Sequence, residues 1–151
     1  MGQEAAKRMS TELLGQINWL AVIVAAILYF AIGAVWYMPF SPTGRAWMTA
    51  MGFVEHPQGE WPSQAIYLAP LLGYVLVAVV TATLARALKV QTLGGGLVLG
   101  VALWLGFGLP YWMLASIFNP HAKRPGTLIG VQSSYHLIGM LVVGAVVGAW
   151  A

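Results

Sequence analysis

The sequence predicts an all-α fold, a bundle of four transmembrane helices arranged as two helical hairpins with a short interfacial helix in the first loop. Three features point to it. The 151 residues are 60% hydrophobic and only 7% charged, whereas soluble globular domains carry about 25% charged residues. Such a chain has too little polar surface to cover itself in water, so the bilayer must be its solvent. Four apolar runs each reach the roughly 20 residues needed to cross about 30 Å of hydrocarbon. With no water in that layer, each run must be a helix that satisfies its own backbone groups. The connections between runs are short, so residues 17–151 form a single membrane domain behind a polar segment, residues 1–16.

The first span is expected over residues 17–38. Asn18, Ala25, Tyr29 and Trp36 share one helical face. Trp19 at one end and Trp36–Tyr37 at the other suit the two aromatic belts of a bilayer. Pro39 and Pro42 end the helix, because neither donates a backbone hydrogen bond. In the first loop, GRAWMTAMG (residues 44–52) has the pattern of a short amphipathic helix, with Trp47, Met48 and Met51 dipping into the interface beside Arg45. Pro57, Gly59 and Pro62 then break any regular structure.

The second span is expected over residues 63–88. Tyr67, Tyr74 and Thr81 recur every seven residues beside Ala78 and Ala85, which marks an interior face. Pro70 predicts a kink one turn inside it. A very short connection makes the next span, residues 94–118, the second arm of a hairpin. Gly100, Trp104, Gly108 and Tyr111 share a face there, and Pro110 offers another kink. The last span, residues 128–151, carries no formal charge. Its second half is Gly, Ala, Val and Leu, and its first holds Gln132, Ser133, Ser134, Tyr135 and His136. Gly33-x-x-Trp36-Tyr37-Met38 and Gly108-x-x-Tyr111-Trp112-Met113 resemble one another, as duplicated hairpins or recurring aromatic belts would.

Taken in order, INWLAVIVAA, WYMPF, GRAWMTAMGF, WLGF and SYHLIGMLVVGAVVGAW resemble a family of small four-helix membrane proteins of bacteria and fungi, catalogued as domain of unknown function 1761. The likeness covers residues 17–151. It implies the fold and the membrane location, and it brings no activity, cofactor or substrate.

Net charge is +3, with seven cations placed singly or in pairs at span ends. That distribution sets orientation in a membrane and offers no nucleic-acid surface. Lys7, Arg8, Arg86 and Lys89 on one side against Arg45, Lys123 and Arg124 on the other lean towards both termini in the cytoplasm. The expected location is the bacterial inner membrane, multi-pass.

His136 is the strongest candidate for a functional group, since intramembrane ionisable residues are costly and rare. Gln132 lies on its flank, and Tyr29, Tyr67, Tyr74, Trp104 and Asn18 complete a candidate intramembrane polar site. Its bland reading is a neutral histidine hydrogen-bonded between helices. Gly144-x-x-x-Gly148, extended by Gly130, is a close-approach seam, either inside one bundle or between two copies joined through the fourth helix. No span contains Asp or Glu, and no nucleophile–base–acid set is visible. Glu55, His56 and Glu60 make a poor metal set across Pro57 and Gly59, so no catalytic residue, metal or cofactor is expected. These residues predict a non-enzymatic structural or interaction protein of the membrane. The alternative is a small-molecule carrier or pore with a cavity lined by aromatics and His136. A membrane enzyme is the weakest reading.

Overall fold

A computed structural model of the chain describes residues 12, 14–53 and 67–150. Four long helices, each apolar enough to cross a bilayer, dominate them: α1 (Trp19–Trp36), α3 (Leu68–Ala87), α4 (Leu93–Ile117) and α5 (Pro125–Ala149). A shorter helix, α2 (Pro42–Met51), lies in the first loop.

The packing order differs from the chain order. The last helix, α5, is the hub: it packs along the length of α4 and against α1, α2 and α3. The α1 helix also pairs with α3, but α3 and α4, consecutive in sequence, scarcely touch. Side-chain size explains this. Gly96 and Gly100 of α4 sit directly on the α5 backbone, so a Cβ at Gly96 would collide with the carbonyl of Gly144 and one at Gly100 with that of Met140. Between α3 and α4, by contrast, a groove of about 420 Å³ is walled by larger residues such as Leu76, Val80, Leu103 and Phe107. Glycine permits close approach and bulky side chains hold backbones apart. The expected α3–α4 hairpin is therefore a tight turn whose arms diverge.

Two expected kinks take other forms. The described part of α3 begins at Leu68, so Pro70 falls in the first turn, where its missing N–H leaves no gap. Before Pro110, α4 opens into a π turn over Trp104–Gly108, closed by Leu109 N–H donating to the Trp104 carbonyl. The turn absorbs one extra residue and rotates the remainder of the helix. Trp112 consequently turns inward, and Tyr111, expected to share a face with Gly100, Trp104 and Gly108, is exposed.

The first loop packs more tightly than an interfacial helix requires. Ser41 caps α2 by accepting from Gly44 N–H at 2.9 Å, Pro42 opens it, and Gly52 ends it at φ 78°, a left-handed conformation that suits glycine. The Ala50 carbonyl accepts from Lys123 N–H at 2.7 Å and Arg124 N–H at 3.1 Å, tying α2 to the α4–α5 loop. Trp47 is half-buried and meets the edge of Tyr37, with ring centroids 5.8 Å apart, so it faces the bundle as well as the interface.

Candidate intramembrane polar site

The site forms where α1, α3 and α4 meet the first half of α5. His136 lies eleven residues into that helix, roughly 16 Å along it at about 1.5 Å per residue. Its Nδ1 shares a hydrogen bond with the Tyr29 hydroxyl of α1. Its ring stacks on Trp112 of α4, with centroids 4.7 Å apart and planes 15° from parallel. Gln132, one turn earlier, accepts from the Tyr37 hydroxyl. The Trp36 indole donates to the Val131 carbonyl at 3.2 Å, and the Trp104 indole donates to the Ser133 carbonyl at 2.8 Å. Ser134 turns back to the Gly130 carbonyl of its own helix. The polar half of α5 is thus bonded to α1, to α4 or to itself.

Around these bonds the aromatic rings are close-set. Tyr29, fully buried, stacks on Tyr74 at 4.2 Å and lies 5.4 Å from Tyr135. The Tyr135 hydroxyl donates to the Tyr29 carbonyl at 3.3 Å. Two glycines make room. A Cβ at Gly33 would come within 2.6 Å of the Tyr135 hydroxyl, and one at Gly139 would fall on the Tyr29 ring. Ring-against-glycine contacts bury a large side chain while letting the backbones approach.

Of the expected residues, the structure brings His136, Gln132, Tyr29 and Tyr74 together. Trp104 reaches the same half of α5 through the backbone, from the α4 side. Tyr67 stands apart, half exposed at the start of α3. Asn18 lies at the far end of α1 and works as a cap: its Oδ1 accepts from Ala21 N–H at 3.2 Å, and its Nδ2 donates to the Trp150 carbonyl at 3.0 Å. Its shared face with Tyr29 is real, but eleven residues separate the two positions, about 16 Å of helix. Tyr37, Trp36, Trp112 and Tyr135 were not among the expected members. The two similar motifs are the available signal for three of them, because each sends aromatics onto the polar half of α5: Trp36 and Tyr37 from α1, Trp112 from α4.

In the expected seam, Gly144 and Gly148 face α4 of the same chain, and a Cβ at Gly148 would lie 2.5 Å from the Thr92 carbonyl. Gly130 is exposed, with open space where a Cβ would go, so it does not extend that face. Among the described residues no group of three His, Cys, Asp or Glu could hold a metal. Glu55, His56 and Glu60 lie outside them. The Ser116 hydroxyl is buried with no hydrogen-bond partner among the described residues; a serine at this α4 face also serves as a small residue.

His136→Gln is expected to fold with little loss, because its amide can still meet the Tyr29 hydroxyl. His136→Leu should lose about 1–2 kcal/mol, since the phenol is left unpaired in an apolar setting. Thermal unfolding in detergent distinguishes them, and equal stability of His136→Leu and wild type would contradict a bonding role.

The model of a family described as protein of unknown function (DUF1761) matches residues 20–148. No curated protein and no solved structure matches the chain.

Proposed function

Because the chain belongs to the DUF1761 family, whose function is unknown, we propose a role from its interior: a non-enzymatic structural or interaction protein that works through the outer surfaces of its helix bundle. The observation that supports this reading is the state of the polar half of α5. A carrier needs polar groups free to meet a solute along a path open to at least one side of the membrane. Here the His136, Gln132 and Tyr29 side chains bond one another or their neighbours, and none of the three lines the groove between α1 and α3. Acid–base chemistry would need groups matched to proton transfer within reach of a substrate. The described spans hold one histidine and no carboxylate.

In this reading both termini face the cytoplasm, on the balance of four cations against three, and the membrane is the inner membrane of a bacterial cell. Any homodimer through α5 forms along the exposed Gly130 edge, because Gly144 and Gly148 are occupied by α4.

Proteoliposomes test the proposal. Vesicles holding the purified protein should show the same leak of protons, potassium, amino acids and sugars as protein-free vesicles. Saturable flux of any of these that Tyr29→Phe or His136→Leu abolishes while the protein stays folded would establish the carrier instead.

A further inference from the structure

We propose that the groove between the end of α1 and the start of α3 binds a quaternary ammonium group, with Phe30, Tyr37, Tyr67 and Tyr74 as its wall. The groove measures about 530 Å³, and Pro39 and Pro70 also line it. That size lies within the roughly 300–1,000 Å³ of small-molecule sites. No charged side chain lines it among the described residues.

The choice of ligand is dictated by the solvent. In water, an aromatic groove would select any apolar molecule. In a bilayer the surroundings are as apolar as the groove, so burial alone confers no preference. Aromatic rings add to hydrocarbon a quadrupole with a negative face, and that favours cations. A quaternary ammonium has no N–H to satisfy, which matches a wall without a carboxylate among the described residues. It is also the cation class that aromatic cages take.

Two of the rings are fixed before any ligand arrives. Tyr74 is stacked on Tyr29. Tyr37 is held by Gln132 and by edge contacts to Tyr135 and Trp47, with centroids 5.3 Å and 5.8 Å away. Phe30 stands 6.5 Å from Tyr74, tilted by 57°. A pre-set wall lowers the ordering cost of binding. Tyr67, half exposed, forms the outer edge. The groove runs from Phe30 past the end of α1 to Pro39, and the quaternary ammonium that fits it belongs either to a lipid headgroup or to a free organic cation.

Choline titrated into the full-length protein in maltoside micelles, with intrinsic fluorescence as the readout, tests this. Choline should bind saturably and at least about tenfold more tightly than its neutral analogue, in which carbon replaces the quaternary nitrogen. Tyr67→Leu should weaken binding about tenfold with an unchanged melting temperature, and Tyr67→Phe should retain it, because the ring and not the hydroxyl supplies the attraction. Repeating the titration in phosphatidylcholine vesicles separates the sources: choline binding lost to competition identifies the lipid headgroup, and undiminished binding identifies a free cation. The proposal is overturned if the neutral analogue binds as tightly as choline, if choline shows no saturable binding in micelles, or if folded Tyr67→Leu binds as wild type does.

Discussion

Gly144→Ile is expected to abolish the folded bundle. A Cβ at Gly144 would strike the Gly96 carbonyl oxygen and come within 2.9 Å of its carbon and 3.2 Å of the Gly100 nitrogen. All three are backbone atoms, so no side chain can swing aside, and α4 must lift away from α5 along its length. Overpacking typically costs about 1–3 kcal/mol, occasionally more. A rigid obstruction at the closest helix pair belongs at the upper end or beyond. Gly130→Ile serves as the control, since open space surrounds that position. Size-exclusion profiles in detergent should show aggregated or absent Gly144→Ile protein beside normal Gly130→Ile. A folded Gly144→Ile variant of halved mass by light scattering would instead place the seam between two copies.

Tyr29→Ala is expected to have the second large effect, about 3–5 kcal/mol by analogy with other large-to-small aromatic substitutions in cores. Tyr29 is fully buried, and its ring is stacked on Tyr74, covered by Gly139 and bonded to His136. Removing it opens a cavity at the meeting point of three helices and unpairs the imidazole. Tyr29→Phe separates the two contributions, because it keeps the packing and removes only the hydroxyl. It should cost about 1–2 kcal/mol. Thermal unfolding in one detergent, read by tryptophan fluorescence, gives both values. If Tyr29→Ala were no worse than Tyr29→Phe, the ring would have no packing role.

The spans were legible in the sequence because a bilayer demands long apolar runs, and Pro39 with Pro42 ends the first of them unambiguously. The division of α5 into a polar half and a glycine half was equally plain. Which glycines meet which was not. Gly96 and Gly100 form the same four-residue spacing as Gly144 and Gly148, yet one such motif reads identically whether its partner is another span or another chain. The aromatic membership was obscured for a different reason. Helical periodicity assigns a residue to one face, but α5 is surrounded by neighbours, so adjacent residues such as Tyr135 and His136 both find partners inside. The π turn in α4 adds a register shift that exchanges Tyr111 for Trp112, and no spacing rule in the sequence announces it. Asn18 was misplaced because a shared face says nothing about depth.

The first half of α5 holds the bundle together through polar groups bonded across helices, and a double-mutant cycle on Tyr29 and His136 tests that most directly. Unfolding free energies of wild type, Tyr29→Phe, His136→Leu and the double variant, measured in one detergent, give the coupling. The expected coupling is about 0.6–2 kcal/mol, the range found for hydrogen bonds between membrane helices, with the double variant little worse than the costlier single one. Costs that simply add, to within about 0.3 kcal/mol, would contradict a hydrogen bond that stabilises the fold.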